Sequence, residues 1–401
     1  MLDESLLDDP EALTLADRPG LLRAAAESGA LLRTALRDTA EAGLLDLKPE
    51  GRPRAILVAT AGGTAASCAD VLATLAGPAC PVVRLAPTGV AADPGALRWT
   101  LPGWAGPVDL LLIATPHGSE PGLGLLAEQA YRRGCTVVAV TPRRTPLTEV
   151  VDGSRGLAVP LATTSRNRPP YGDGNPGDDA AAEPDRAREQ ERDQEPAATD
   201  SLWPTLVPFL SLLDRTGLYA ATEETLLAVA DRLDATAERC GPAVPTGSNP
   251  AKSLALELDE CLPLLWTEGT TAAPAARRFA ALLAGRAGRP ALAAELPEAL
   301  DDHSALLSRA RSQEGGPADL DDFFRDRVEE PATLQPRVVL LRTRPADGLT
   351  ATPAARELAR AHHTPVTDLQ PPEGGELECL GELLALTEFT TAYLATRAQP
   401  E

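Results

Sequence analysis

Five short, continuously apolar segments, separated by helical stretches rich in small residues, restrict this chain to an α/β fold. They are Arg54–Thr60, Pro81–Ala86, Val108–Thr115, Thr136–Thr141 and Gly156–Ala162. A strand that is apolar at every position, rather than at alternate ones, has to be covered on both faces. Alternation with helices such as Ala65–Leu75 and Ser119–Arg133 then predicts a parallel sheet between two helical layers. Gly134 follows the second of these helices and suits the left-handed turn at a helix C-terminus. Ahead of the first strand, Leu21, Leu22, Ala25, Leu31, Leu32 and Leu36 recur at helical spacing and predict a helical lead-in over residues 3–46.

The same rhythm returns after residue 200. Leu202–Leu218 and Thr222–Arg239 read as helices, and Asn249-Pro250 opens another, with Asn as N-cap and Pro at the first helical position. Leu262–Thr267, Pro290–Glu295 and Val338–Arg342 read as strands. Helices are expected over Ala272–Ala284, from Thr352-Pro353 to Ala361, and over Glu376–Arg397. Between the two halves, Ser165–Asp200 holds Pro169-Pro170, Gly, Asp and Asn, then Arg, Glu and Gln, with almost no large apolar residue. Such a composition cannot bury enough surface to offset its ordering entropy, which predicts a disordered acidic linker. The expected boundaries are a lead-in at 1–46, a first lobe at 47–164, the linker at 165–200 and a second lobe at 201–401. The halves show no strong sequence self-similarity.

A chain of 401 residues exceeds one ordinary domain, and its 43% hydrophobic content suffices for two cores. Aromatic residues make up only 3%, so Leu, Ala and Val must fill those cores. The net charge of −21 repels phosphate backbones and anionic lipid, so neither nucleic acid nor a membrane surface is an expected partner. A small anion remains compatible, because backbone dipoles bind it locally. The cysteines, Cys68, Cys80, Cys135, Cys240, Cys261 and Cys379, form no C-x-x-C pair and are expected as reduced core thiols. No apolar run reaches the ~18 residues of a membrane span, and the acidic N-terminus lacks a signal pattern, which gives a cytoplasmic expectation. No cluster has metal-ligand spacing, and neither metal nor cofactor is expected.

Four segments carry chemistry. Gly62-Gly63-Thr64 follows the first strand and leads into a helix, where glycine backbone, a hydroxyl and helix N–H groups can meet an anion. It is neither a G-x-G-x-x-G nor a Walker A loop, which argues against a nucleotide. Thr115-Pro116-His117-Gly118-Ser119-Glu120 follows the third strand, at the sheet edge where open α/β folds bind ligands. Ser119 reads either as a helix N-cap or as a phosphate ligand. Lys252, one of only two lysines, follows Asn249-Pro250-Ala251 and is a candidate for the substrate cleft. Leu296-Pro297-Glu298-Ala299-Leu300-Asp301-Asp302-His303 clusters carboxylates beside a histidine, the groups needed to move a proton and open a sugar ring.

In order and spacing these segments resemble the bifunctional phosphoglucose/phosphomannose isomerase family, which has two sugar-isomerase (SIS) lobes. Gly62-Gly63-Thr64 stands where that family has Gly-Gly-Ser, and Thr115–Glu120 where it has a Ser/Thr-rich phosphate loop. Asn249–Lys252, the Pro290-Ala291 and Leu296-Pro297-Glu298 segments and the closing Leu386–Leu394 are also similar to it. The resemblance implies two αβα sandwiches, each with a parallel sheet and the ligand cleft between them. It also implies a homodimer and a sugar-phosphate ligand. Gly62, Gly63, Thr64, Thr115 and Ser119 would bind the phosphate, Lys252 would line the cleft, and Glu298 and His303 would remain for catalysis. The departures are as specific. Gly285 occupies the position of the family's general-base Glu, and Asp301 that of its ring-opening His, with His303 two residues beyond. Arg166 or Arg168 would have to replace the family's late first-lobe Arg, and its C-terminal Lys is missing. The expectation is a sugar-phosphate-binding SIS protein with an eroded catalytic site; the alternative is an active isomerase with Glu298 as base.

Overall fold

The computed structural model describes residues 2, 4–49, 51–89, 95–163, 201–308, 335–344 and 348–396. The expected linker, with Arg166 and Arg168, lies outside the described residues. The chain forms two compact units: residues 19–234, here the first unit, and residues 1–18 with 235–401, here the second. These compact units divide at 18/19 and 234/235, whereas the expected lobe boundaries fall at 46 and 201; long-range packing sets the units. Helices α1 (Glu4–Leu7) and α2 (Pro10–Ala16) bury Leu7 and Leu13 in the second unit. In the first unit, α3 (Leu21–Ala26) leads into α4 (Ser28–Glu41).

The first sheet comprises β1 (Ile56–Thr60), β2 (Val82–Leu85), β3 (Leu110–Ala114), β4 (Thr136–Thr141) and β5 (Leu157–Pro160). Its order is β2-β1-β3-β4-β5, and every pairing is parallel. All five expected strands are present. Every residue of β1 and β3 is buried, so both faces are covered as the continuous apolar runs require. On one face Leu57, Ala59, Leu111 and Ile113 pack with residues of α6 (Pro121–Arg132) and α7 (Pro146–Gly153). Helix α5 (Ala65–Ala76) joins β1 to β2. The unit closes with α8 (Trp203–Arg215), which packs on α4, and with most of α9 (Glu223–Cys240). Burial of α8 from Trp203 to Leu213 explains why residues 201–234 belong here, each large apolar side chain contributing ~1.5–3 kcal/mol.

The second sheet has β6 (Cys261–Glu268), β7 (Leu292–Glu295), β8 (Gln335–Arg342) and β9 (Val366–Leu369), in the parallel order β7-β6-β8-β9. Strand β9 was not expected. It is a four-residue edge strand with Asp368 among partly buried neighbours, too short and mixed to stand out. The helices are α10 (Pro250–Leu258), α11 (Ala272–Arg286), the single turn α12 (Ala299–Asp302), α13 (Thr352–Ala361) and α14 (Glu376–Ala395). Asn249 caps α10 as expected, accepting from the N–H groups of Ala251 and Lys252. Helix α14 is buried on nearly all sides and packs on α10 and α11. The buried Arg278 guanidinium donates twice to Glu388 of α14, at 3.0 and 2.8 Å.

Candidate functional site

The C-terminal edge of the first sheet gathers two of the expected segments, because β1 and β3 are neighbours. Gly62 has φ +94°, a backbone conformation that favours glycine, and its Cα faces the Pro116 ring of the other loop. Gly62 and Gly63 are exposed. Thr64 is the N-cap residue of α5, but its side chain makes no cap bond.

The loop after β3 differs from expectation at two positions. Thr115 is buried, and its hydroxyl is fully engaged within the loop. It donates to Glu120 Oε1 at 2.7 Å and accepts from the N–H groups of His117 and Gly118, each at 3.1 Å. Thr115 therefore shapes the turn rather than facing a ligand. Ser119 does not cap α6: that helix begins at Pro121, which makes Glu120 the N-cap residue. Ser119 and His117 are exposed beside the glycines. Glu120 is 2% exposed, and its Oε2 has no hydrogen-bond partner. An ionised carboxylate so placed would lower the affinity of this edge for an anion.

Three hydroxyls not anticipated complete this edge. Thr141 Oγ1 lies 3.2 Å from Thr145 Oγ1, which lies 2.9 Å from Thr148 Oγ1. Thr145 caps α7. A Cβ on Gly118 would come within 2.4 Å of Thr141 Oγ1 and 2.5 Å of Thr145 Oγ1, so only glycine allows the two loops to meet. The signal was present in the Thr141-Pro142-Arg143-Arg144-Thr145-Pro146 run.

In the second unit, Lys252 is not a cleft residue. Its ammonium is fully buried and donates to the carbonyl oxygens of Leu7 at 2.5 Å, Pro242 at 2.8 Å and Val244 at 2.8 Å. The Tyr393 ring lies 5.6 Å from Nζ. All three N–H bonds are used, so Lys252 pins the N-terminal helices to this unit. Gly285 lies in the last turn of α11, exposed, and apart from its own stretch of helix nothing lies within 4 Å of where a Cβ would sit.

Glu298 and His303 diverge. Glu298 lines a cavity of about 220 Å³ with Thr267, Arg277, Glu295 and Asp302. Arg277 pairs with Glu295 at 3.0 Å. The three carboxylates can accept hydrogen bonds from a polyol. His303 does not line this cavity: it is 7% exposed, and its Nδ1 accepts the Trp266 indole N–H at 2.8 Å. The bond assigns the remaining ring proton of the neutral form to Nε2. Burial lowers the His303 pKa, against the opposing pull of Asp302.

Below the ordinary histidine value of about 6.5, the unfolded chain therefore takes up a proton that folded His303 refuses. Its contribution to stability is complete above that value and is lost as the pH falls. The urea midpoint of the wild type should drop more between pH 7.5 and 5.5 than that of His303→Leu; equal drops would remove His303 from the balance.

At the end of β6, Glu268 is the most heavily hydrogen-bonded side chain of this edge. Its carboxylate accepts from the hydroxyls of Thr350 at 2.7 Å and Thr352 at 2.8 Å, and from the N–H groups of Ala351 and, at 3.2 Å, Thr352. Burial alone would raise its pKa, but these bonds hold it below the ordinary carboxylate value. Sequence reading passed over Glu268 because its partners are more than eighty residues away.

Residues 247–399 match the bacterial phospho-glucose isomerase C-terminal SIS domain family. No curated protein matches the chain in sequence. Among solved structures, a protein provisionally described as a phosphosugar isomerase from Silicibacter pomeroyi DSS-3 aligns over 94% of this chain and 98% of its own, with TM-score 0.55 and 16% identity. A glucose-6-phosphate isomerase like protein from Thermus thermophilus aligns over 97% and 94%, with TM-score 0.51 and 21% identity. A hypothetical protein from the same organism reaches TM-score 0.58 over 98% and 89%, at 15% identity. At these identities the likeness establishes the fold, two SIS-type α/β lobes each with a parallel sheet. Among the described residues, no helix is long and apolar enough to cross a membrane.

Proposed function

From the premise that residues 247–399 match the bacterial phospho-glucose isomerase C-terminal SIS family, we propose that the chain binds a sugar phosphate and lacks efficient isomerase chemistry. The observation that carries this reading is the state of the expected catalytic positions. The resemblance aligns the family's base with Gly285, which has no side chain to accept a proton, and His303 is buried with its Nδ1 committed to Trp266. Binding is supported by the exposed Gly62, Gly63 and Ser119 at the edge of the first sheet, with the N-termini of α5 and α6 close by. The names of the solved relatives point to the same ligand class. The reading includes a cytoplasmic homodimer that does not engage nucleic acid, in keeping with the net charge of −21.

A thermal shift series tests the binding. Glucose 6-phosphate and fructose 6-phosphate should raise the melting temperature, and glucose and fructose should not. Ligand at 100 times its Kd contributes ~2.7 kcal/mol to stability, well within reach of the measurement. An equal response to phosphorylated and free sugars would argue against a phosphate site. The second reading, an active aldose–ketose isomerase, is favoured by one observation: Glu298 faces a cavity that it shares with Glu295 and Asp302.

A further inference from the structure

The two sheet edges carry the same local design. Residues 60–66 read Thr-Ala-Gly-Gly-Thr-Ala-Ala, and residues 267–273 read Thr-Glu-Gly-Thr-Thr-Ala-Ala. The backbones agree: Gly62 has φ +94° and Gly269 φ +99°. Thr64 and Thr271 are both N-cap residues in the αR region, and neither side chain makes a cap bond. The register agrees as well. Thr60 pairs with Ala114 of β3, and Thr267 pairs with Leu341 of β8. Two residues beyond each partner, Pro116 faces Gly62 and Thr343 faces Gly269. The second edge is thus a structural copy of the first, although the rest of the two halves shows little sequence likeness.

Within this repeat, Ala61 in the first unit is replaced by Glu268 in the second. Around the Glu268 carboxylate stand two hydroxyls and two N–H groups, from Thr350, Ala351 and Thr352 at the start of α13, with Arg342 Nε 3.7 Å away. That is the donor set of an oxyanion site: hydroxyls, helix N-terminal amides and a guanidinium. That same Arg342 Nε and one further polar atom of the edge, the buried Thr343 Oγ1, have no hydrogen-bond partner. In the first unit, Ala61 carries only a methyl group, which cannot take the place of a carboxylate. Glu120 approaches that edge from the helix side and takes a single hydroxyl, that of Thr115.

We infer that the second unit contains a duplicate oxyanion site occupied by the chain's own Glu268 carboxylate, which leaves the first unit as the only one of the two edges open to an external phosphate. This rests on the reading of the first edge as a phosphate site. It predicts that removing the Glu268 side chain creates one additional site for a tetrahedral oxyanion.

The test uses the full chain and inorganic phosphate, against sodium chloride at matched ionic strength. Equilibrium dialysis should find one more phosphate bound per chain in Glu268→Ala than in the wild type. Phosphate should also recover most of the melting temperature that this variant loses in chloride. Glu268→Gln, whose side chain still fills the space, should bind no additional phosphate. The binding of the wild type itself reports on the first edge, and the difference between variant and wild type reports on Glu268, so the two readings fail separately. A folded Glu268→Ala with no added phosphate would overturn the inference, as would an equal gain in Glu268→Gln. If Glu268→Ala does not fold in chloride, recovery in phosphate supports the inference, and failure in both salts overturns it.

Discussion

Replacing Lys252 with methionine is expected to lower the unfolding free energy of the second unit by about 3–5 kcal/mol. The ammonium fills a fully buried position and satisfies three carbonyls, those of Leu7, Pro242 and Val244. Methionine has a similar length but no donor, and a buried carbonyl left without a partner costs about 1–3 kcal/mol. The carbonyls cannot all turn to water, because Leu7 is itself buried beneath the N-terminal helices. Lysine to arginine is no remedy, since a planar guanidinium does not reproduce the three-way geometry of an ammonium. Urea unfolding provides the magnitude. Limited proteolysis provides the location, because the Lys252→Met variant should release α1 and α2 and expose residues 2–18 to cleavage. A midpoint within about 1 kcal/mol of the wild type, with no new cleavage there, would make Lys252 a ligand-facing candidate again.

Isomerase turnover on fructose 6-phosphate and mannose 6-phosphate is expected to be absent from a coupled assay. Moving a proton between adjacent carbons requires a positioned base, and such a group contributes typically ~10²–10⁴-fold. Gly285 supplies none. His303, held by Trp266, is not oriented toward the carboxylate-lined cavity. The open space around Gly285 means that Gly285→Glu can be made without a clash, and, where the resemblance aligns the base correctly, it should raise turnover above the wild-type background. His303→Ala should leave that background unchanged. Robust wild-type turnover that disappears in Glu298→Gln would sink this expectation and identify Glu298 as the base. That outcome would leave the Glu268 inference intact, because the two residues lie on different segments and are read by different measurements.

The first parallel sheet was legible in the sequence because its central strands β1 and β3 are buried along their whole length. Ile56–Thr60 and Leu110–Ala114 admit no solvent-facing side, and a run of that kind has few alternatives. The Asn249 cap was legible for a similar reason: the bond from its side chain reaches only two and three residues along the chain. The glycine loop at Gly62 was placed correctly after β1, since a strand-to-helix turn is a local event.

What the sequence determined by itself was therefore most of the alternation of strand and helix, the Asn249 cap and the Gly62 turn, all set by interactions within a few residues. The tertiary structure decided the direction of the polar side chains. Lys252 looked available because it is rare; it is buried because Leu7, 245 residues away, brings it a carbonyl. Thr115 looked like a phosphate ligand until its own loop and Glu120 used its hydroxyl. Residues 201–234 joined the first unit because α8 found α4. Glu268 carried no local mark at all, since every group that binds its carboxylate comes from a segment that only the pairing of β6 with β8 brings alongside. Hydrogen-bonding capacity is a property of the residue, but its use depends on which distant backbone the fold places within about 3 Å.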